Sequence, residues 1–332
     1  MSEHILKVEK LRKWFPVRLG FFSSLVKKEA LYVKAVDNVS FDVNKEEIFG
    51  LAGESGSGKT TTGKCILKLI EPTDGKIIFK GEDISLLNPK KMKNFRRKMQ
   101  TIFQDPYESL DPRMTVESII SEPLHVLDLV KNDEEAVEKV KEILAEVGLV
   151  PPEQFIFRYP HELSGGQRQR VAVARAFVVK PEFIVADEPV SMLDVSIRAE
   201  ILKLMLSLIK EYQTAFLYIT HDLALAKHFC QRIAIMYLGK VMEKGTTEQV
   251  IDTPLHPYTK ALIAAVPIPD PSARRTEIVI KGEIPSPINP PSGCRFHTRC
   301  PEFIGQICKN QEPELIEMEK GHFVACHLYS KK

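Results

Sequence analysis

The stretch EIFGLAGESGSGKTTTGKCILKLI constrains the fold of this 332-residue chain more than any other. Apolar strand residues lead into a glycine-rich turn that fits G-x-x-x-x-G-K-[ST] from Gly53 to Thr60, and a helical pattern follows directly. The glycines let backbone N–H groups turn inward around phosphates, Lys59 can reach the β and γ phosphates, and Thr60 can ligate Mg²⁺. The stretch therefore predicts the βα unit of a nucleotide-binding fold.

Two further apolar runs, FIVAD at 183–187 and AFLYIT at 215–220, each follow a helical stretch. This is typical of buried parallel strands in a doubly wound α/β sheet. Asp187 ends the first of these strands and is placed to hold Mg²⁺ through water, while Glu188 can face a water in line with the γ phosphate. The pattern predicts Glu188 as the general base of a nucleotide hydrolase.

The remaining sequence divides into three regions. Residues 5–12 and 35–43 read as strands, and the apolar, basic segment between them reads as a loop between antiparallel strands, with contact to a membrane surface as the alternative. From 88 to about 165 the pattern is helical, with one helix over 132–149 that stops at Gly148. Residues 267–291 hold seven of the 22 prolines, which predicts an extended linker before a small cysteine-bearing module.

The composition is that of an ordinary globular protein. Hydrophobic residues make up 44% and charged residues 27%, and the formal net charge is only +2, so we expect no nucleic-acid partner. The first ten residues are charged where a signal peptide needs an apolar stretch, and no apolar run approaches the roughly 18 residues of a membrane span. We therefore expect a cytosolic chain whose thiols stay reduced.

The motif LSGGQ, from Leu163 to Gln167, narrows the class of nucleotide hydrolase, because with it the chain resembles the ATP-binding cassette family. The resemblance covers nearly the whole chain, and its motifs occur in family order. GESGSGKT resembles the Walker A loop, Gln104 in IFQDP the Q-loop, LSGGQ the signature, and FIVADE the Walker B strand. SMLD with Asp194 resembles the D-loop, and ITHD with His221 the switch histidine.

The resemblance implies an ATPase with a RecA-like α/β core, an antiparallel β subdomain and a helical subdomain. The signature of one subunit would close over ATP held by the Walker A loop of another, in a head-to-tail dimer. Lys59, Gln104, Glu188 and His221 would act in catalysis, with Thr60, Gln104 and Asp187 at Mg²⁺. The expected nucleotide contacts are Phe15, Gly53, Glu54, Ser55, Gly56, Ser57, Gly58, Lys59, Thr60, Thr61, Ser164, Gly165, Gly166, Gln167 and Asp194.

Two further expectations follow from the resemblance. Residues 103–116, FQDPYESLDPRMTV, would receive the coupling helix of a membrane partner, with Gln104 sensing the γ phosphate. An aromatic ring upstream of Walker A should stack on adenine. Phe15 aligns best with the family pattern, and Trp14 and Tyr32 are its rivals.

Two classes of cassette protein remain, the motor of a transporter and a cassette ATPase without transport. The single phosphate loop and the lack of sustained heptads favour the transporter. HPYTKALIAAVPIPDP at 256–271 and GEIPSPINPPSGCRFHTRCP at 282–301 resemble the dipeptide and oligopeptide importer subfamily, which also includes nickel and oligosaccharide importers. The resemblance implies a second ATPase subunit, two permeases, an extracytoplasmic binding protein and a position on the cytoplasmic face of the membrane.

Four of the six cysteines lie in the tail as Cys294, Cys300, Cys308 and Cys326, spaced C-x5-C-x7-C-x17-C. Zinc sites usually begin with a tighter pair, whereas a [4Fe-4S] cluster accepts dispersed ligands, so spacing alone leaves iron–sulfur, zinc and unligated thiols open. His297, His322 and His327 keep zinc in consideration. The subfamily resemblance favours the [4Fe-4S] cluster. Cys65 and Cys230 lie elsewhere in the chain and are expected to pack as small hydrophobes.

We thus expect an ATPase domain over residues 1–266, with its helical subdomain at about 88–165. A C-terminal extension with the four-cysteine site is expected over residues 267–332.

Overall fold

The computed structural model of the chain describes residues 4–17, 31–266, 280 and 282–330. The strands, numbered along the chain, are β1 (His4–Pro16), β2 (Tyr32–Asn44), β3 (Ile48–Ala52), β4 (Asp74–Phe79), β5 (Glu82–Asp83), β6 (Met99–Ile102), β7 (Phe183–Asp187), β8 (Ala215–Thr220), β9 (Arg232–Tyr237), β10 (Lys240–Thr246), β11 (Ile316–Glu319) and β12 (His322–Val324). The α-helices are α1 (Lys59–Ile66), α2 (Pro89–Arg96), α3 (Pro106–Ser109), α4 (Val116–Val126), α5 (Asp133–Glu146), α6 (Gly165–Phe177), α7 (Val195–Tyr212), α8 (Leu223–Phe229), α9 (Thr247–Asp252), α10 (Pro257–Ala265) and α11 (Gln306–Asn310). These elements form two compact units, and the boundary between the units falls within β8.

The first unit comprises Met1–Ile5, Val43–Glu47 and Leu86–Tyr218. Its strands lie in the order β8-β7-β6, and β6 pairs in parallel with β7. The first four residues of β7 are buried, as expected of a parallel strand that is covered on both faces. Helices α2 to α7 belong to the same unit, which is therefore the mainly helical part of the chain.

The second unit comprises Leu6–Asp42, Ile48–Ser85 and Ile219–Lys332. One sheet has the order β2-β1-β4-β5, in which β4 pairs antiparallel with both β1 and β5. In the other, strands follow the order β11-β12-β10-β9-β3, where β3 pairs in parallel with β9 and the remaining pairs are antiparallel. The C-terminal strands β11 and β12 thus extend the sheet that contains the strand before the phosphate loop.

The predicted α/β fold is confirmed, with differences in where elements begin and end. The predicted first two strands run longer, as β1 and β2. The region 88–165 contains the strand β6 as well as helices. Residues 18–30 of the predicted loop and most of the predicted linker, 267–279 and 281, lie outside the described residues. Over the part of the chain that the structure describes, no helix is long and apolar enough to cross a membrane.

Candidate functional site

The phosphate loop lies in the second unit between β3 and α1, where the sequence predicts it. Lys59 is buried at the first position of α1, and its Nζ donates to the carbonyl oxygens of Gly53 (2.8 Å) and Glu54 (3.0 Å). Ser55 and Gly56 at the tip are exposed, while Thr60 and Thr61 are half-buried. The lysine therefore lies inside the turn, from which a single positive charge can meet a phosphate near the N-terminus of the helix.

Two glycines of this loop are required by the backbone around them. Gly53 has φ +148°, and a Cβ on it would lie 2.2 Å from the carbonyl oxygen of Met236 in β9. Gly58 has φ +105°, and a Cβ there would lie 2.1 Å from the carbonyl oxygen of Ala35 in β2. Only glycine fits at such contacts, so the loop is held closely against two strands of its own unit.

The predicted metal ligand and general base lie in the first unit, at the end of β7. Asp187 is the last residue of the strand, and Glu188 follows with φ +45°, a conformation that non-glycine residues rarely adopt and that is frequent at functional sites. Gln104 Nε2 donates to Glu188 Oε2 at 3.3 Å. The structure therefore brings the Q-loop glutamine and the candidate base together, although the chain separates them by 84 residues.

The signature motif opens α6 in the first unit. Ser164 is the N-cap: its Oγ accepts from the backbone N–H of Gln167 at 3.3 Å, and Gln167 Oε1 accepts from the backbone N–H of Ser164 at 3.0 Å. Ser164 is exposed, whereas Gly166 is buried against α7, where an added Cβ would lie 2.9 Å from Ile197 Cγ2. A capped helix N-terminus with an exposed serine is able to receive an anion from outside the unit.

The remaining motif residues lie at exposed ends of elements. Asp194 is the N-cap residue of α7 without a side-chain capping bond, and Met192 and Val195 beside it are exposed by 59% and 80%. His221 follows β8 in the second unit and is exposed.

The three aromatic candidates for adenine stacking lie close together on β1 and β2. Trp14 and Tyr32 have ring centroids 6.2 Å apart, and Lys34 Nζ lies 4.7 Å from the centroid of Trp14. Phe15 and Tyr32 are exposed by 37% and 39%, and Lys13 Nζ lies 4.8 Å from the Phe15 ring. The choice of Phe15 over its rivals stays a prediction.

The four tail cysteines influence one another electrostatically. The pKa of Cys294 is raised to about 12 and that of Cys300 to about 11, mainly by burial and to a smaller degree by the charges of neighbouring thiols. The Cys294 N–H donates to the Cys308 carbonyl oxygen at 2.9 Å. Yet within the described ranges no three His, Cys, Asp or Glu side chains are grouped so that they could hold one metal ion.

Among the described residues, neither the zinc nor the iron–sulfur hypothesis is supported by a group of side chains placed to hold a metal. Zinc needs its ligands gathered around one ion at about 2.0–2.3 Å, and the described residues offer no such group. Among the histidines, His322 Nε2 lies 2.8 Å from Glu243 Oε1, and His297 and His327 each direct one ring nitrogen to a backbone carbonyl oxygen. A cluster needs soft thiolates but binds each at a separate iron, so the donor set fits its chemistry, and the cluster site stays a prediction. Cys65 and Cys230 are buried elsewhere, as expected.

One set of contacts at the phosphate loop is not anticipated by the sequence. The Arg299 guanidinium, next to Cys300, pairs with the Glu54 carboxylate at 2.9 Å, and the Tyr258 hydroxyl accepts from the Glu54 backbone N–H at 2.9 Å. The segments HPYTK and CRFHTRC identify a subfamily, but nothing in the sequence indicates that Tyr258 and Arg299 contact Glu54, 204 and 245 residues earlier in the chain.

Comparison with known proteins assigns the family. Residues 36–191 match the family model described as ABC transporter, and residues 242–308 match the one described as oligopeptide/dipeptide transporter, C-terminal region. The chain is 50% identical to the oligopeptide transport ATP-binding protein AppF of Bacillus subtilis (strain 168), over 99% of this chain and 98% of that one. It is 44% identical to the probable peptide ABC transporter ATP-binding protein y4tS of Sinorhizobium fredii (strain NBRC 101917 / NGR234), over 99% of this chain and 91% of that one.

Two solved structures support the same assignment. A dimer of the ATP-binding cassette MJ0796 in a post-hydrolysis state, bound to ADP and Pi, is 30% identical with a TM-score of 0.63, over 73% of this chain and 98% of that one. CbiO1 from Clostridium perfringens, part of the ABC transporter complex CbiONQ, is 25% identical with a TM-score of 0.62, over 76% of this chain and 92% of that one. The chain belongs to the ABC transporter family, as an ATP-binding subunit of its oligopeptide and dipeptide branch, and it is an ATPase.

Proposed function

We propose that this chain is the ATP-hydrolysing motor of a peptide importer. The observation that carries the proposal is the 50% identity over 99% of the chain to a protein named for oligopeptide transport. The match of residues 242–308 to the C-terminal region of oligopeptide and dipeptide transporters supports the same substrate class. ATP binding closes a nucleotide-sandwich dimer, and hydrolysis opens it again.

Each motif residue has a role in this proposal. Lys59 and the backbone N–H groups of the loop hold the β and γ phosphates, and Phe15 stacks on adenine. Thr60, Asp187 and Gln104 orient the ion, and Mg²⁺ when bound neutralises charge on the phosphates. Glu188 takes the proton of the attacking water, and His221 donates to the γ phosphate. The hydrogen bond from Gln104 to Glu188 supports a link between sensing the γ phosphate and positioning the base.

The proposed dimer partner is a second cassette ATPase, identical or similar to this chain. The exposed Ser164 at the N-terminus of α6 supports a signature that faces ATP on another subunit. Met192 lies within the D-loop and Val195 directly follows it, and their exposure supports contact with a partner at this point, because burial of apolar side chains is favourable.

The further partners are two membrane permeases and an extracytoplasmic binding protein, with this chain bound peripherally on the cytoplasmic face. Residues 103–116 would receive the permease helix. Phe103 and Tyr107 in this segment are exposed by 37% and 60%, which supports a docking role. The Arg168 guanidinium of α6 lies 4.0 Å from the Tyr107 ring centroid, so the segment is held against the signature helix within the first unit.

We propose the division of the chain at about residue 266, with the four cysteines of the extension as ligands of a [4Fe-4S] cluster. The support is the presence of four cysteines in one C-terminal stretch, three of them buried and Cys300 half-buried. Bound to iron, each thiol would be a thiolate, since metal binding displaces the proton. An anaerobic preparation should contain about four irons and four acid-labile sulfides per chain. Stoichiometric zinc without iron would contradict the cluster.

The general-base role is tested by Glu188→Gln, which keeps the side chain's shape and removes the base. ATP binding should persist while turnover falls at least about 100-fold, the usual contribution of a positioned base. The ATP-bound variant should accumulate as a dimer in size-exclusion chromatography. Glu182→Gln, just before the first residue of β7, is the matched control and should keep wild-type turnover. Wild-type turnover by Glu188→Gln would remove Glu188 from the mechanism.

Peptide import is tested with the assembled transporter in vesicles. Addition of the peptide-loaded binding protein should raise ATP turnover and move peptide into the compartment that holds this chain. Stimulation by nickel or an oligosaccharide, and not by peptides, would keep the motor assignment and change the substrate class.

A further inference from the structure

Glu54, the second residue of the phosphate loop, is held by the C-terminal region of the chain. Arg299 meets its carboxylate with two nitrogens, Nη1 to Oε2 at 2.9 Å and Nη2 to Oε1 at 3.4 Å. The pair is largely shielded, because the Arg299 side chain is only 10% exposed and that of Glu54 23%. Two-pronged arginine–carboxylate pairs of this kind fix geometry as well as charge.

The arginine is itself held by a buried aromatic cluster. Its Nη1 donates to the Tyr237 hydroxyl at 3.3 Å, and the rings of Tyr237, Tyr258 and Phe296 have centroids 4.8–5.3 Å apart. The Tyr258 hydroxyl accepts from the Glu54 backbone N–H at 2.9 Å. Phe296 and Arg299 both lie in the segment from Cys294 to Cys300, called the cysteine segment below, so this segment supplies one side of the aromatic cluster.

These contacts bear on nucleotide binding through charge and through loop shape. The carbonyl oxygen of Glu54 accepts from Lys59 Nζ, so Glu54 belongs to the turn that the lysine closes. A free carboxylate in that turn would repel an incoming triphosphate, and a partly buried charge is poorly screened by water. Arg299 neutralises this carboxylate and, with Tyr258, keeps both ends of the residue fixed.

We propose that Arg299 is a positioning residue for ATP affinity, through which the C-terminal cysteine segment sets how tightly the phosphate loop binds nucleotide. Arg299 acts on Glu54 and not on the reacting atoms. The inference rests on the proposed nucleotide site. It adds that the tail is part of that site's supporting structure.

The test compares Arg299→Gln, Arg299→Lys, Glu54→Gln and the Arg299→Gln/Glu54→Gln double variant, with a fluorescent ATP analogue and steady-state ATPase kinetics. Arg299→Gln should weaken ATP binding about tenfold, equivalent to about 1.4 kcal/mol, and raise KM with kcat within about twofold. Arg299→Lys, which keeps the charge without the fork, should lie between this variant and wild type. Glu54→Gln serves as the background for the double variant, because it removes the carboxylate that Arg299 pairs with and leaves the backbone contacts of residue 54 in place.

The double variant separates positioning from general stability. If Arg299 acts through the Glu54 carboxylate, substituting Arg299 in the Glu54→Gln background should weaken ATP binding by less than about threefold. The wild type, the two single variants and the double variant form a double-mutant cycle, which measures this coupling directly. Equal losses in both backgrounds would overturn the proposal, as would wild-type affinity in Arg299→Gln. Lys260→Gln is the matched control: it breaks the 3.1 Å ion pair to Glu302 in the same segment and should leave ATP affinity unchanged.

Two further measurements, analogue binding by wild type and thermal unfolding of each variant, separate failure of this inference from failure of the proposed nucleotide site. If wild type itself fails to bind the analogue, the proposed nucleotide site is wrong, whereas binding by wild type with no effect of Arg299→Gln refutes only this inference. Thermal unfolding of each variant shows whether the C-terminal region stays folded. Glu54→Gln breaks the same ion pair while Arg299 stays unchanged, so it tests the pair without altering the C-terminal region.

Discussion

Glu243→Gln should destabilise the second unit, because three donors converge on this buried carboxylate. Glu243 lies in β10 with no exposed surface. Its Oε1 accepts from the Leu255 N–H at 2.8 Å and lies 2.8 Å from His322 Nε2, and its Oε2 accepts from the His256 N–H at 2.9 Å. One side chain thereby joins β10, the start of α10 and β12.

The size of the effect follows from these partners. Glutamine can present its oxygen to Leu255 and His322, but its amide then points an N–H group at the His256 N–H. One backbone donor is left unsatisfied in the interior, which costs about 1–3 kcal/mol, and two hydrogen bonds lose the charge of their acceptor. We expect a loss of about 3 kcal/mol in the free energy of unfolding, or a fall of about 6–12 °C in Tm for a unit of this size.

The assay can use the single tryptophan of the chain. Trp14 lies in β1 of the second unit, so its fluorescence reports the unfolding of this unit in guanidinium or on heating. Glu314→Gln, an exposed position in the same C-terminal region, is the matched control and should change stability by less than about 0.5 kcal/mol. If Glu243→Gln unfolds within about 1 kcal/mol of wild type, the three contacts do not carry the strength argued for them.

Three further predictions concern other parts of the chain. Burial lowers the pKa of His256 to about 4, so the unfolded chain takes up this proton first as pH falls, and up to about 3 kcal/mol of stability should be lost between pH 6.5 and 4. His256→Asn keeps a helix-capping oxygen and should flatten this slope in pH-dependent unfolding, and an unchanged slope would contradict the assignment. Gly53→Ala should prevent folding of the loop because of its 2.2 Å backbone overlap, whereas Gly56→Ala meets nothing within 4 Å and should cost only about 1–2 kcal/mol in thermal unfolding. Arg168→Gln should release Tyr107 and lower transport per ATP hydrolysed in the assembled importer, and unchanged coupling would show that the contact is dispensable.

The local motifs of the chain were predictable because the conformation of each depends mainly on residues that are close together in the sequence. The turn from β3 to α1 needs glycine where backbone approaches backbone, and β7 needs a continuous apolar run because both faces are covered. Consecutive residues meet these requirements, so the sequence alone shows them. The LSGGQ stretch is similar, since a serine with a glutamine three residues later is itself the signature of a capped helix start.

The contacts between distant segments were not predictable in the same way. Nothing in the letters around Glu54 indicates that its carboxylate meets Arg299, because the pairing depends on β9, β10 and β12 lying side by side in one sheet. The positive φ of Glu188 is also invisible in the sequence, since glutamate has no preference for that conformation. The motifs are therefore local in the sequence, whereas the residues that hold them come together only in the fold.

The C-terminal region contacts the ATPase core of its own unit at several points, and two of these contacts bear on stability and on nucleotide binding. Through Glu243 it is joined to β10, and through Arg299 it reaches the phosphate loop. The sequence predicts an appendage behind a proline-rich linker, whereas the described part of this region adds a strand, β12, to the sheet of the second unit. Because β12 pairs with β10 and a guanidinium beside Cys300 neutralises Glu54, damage to the cysteine segment should appear first as weakened ATP binding. A deletion of the region would remove that charge compensation together with any cluster, so the two roles can be separated only by single substitutions at Arg299 and at the cysteines.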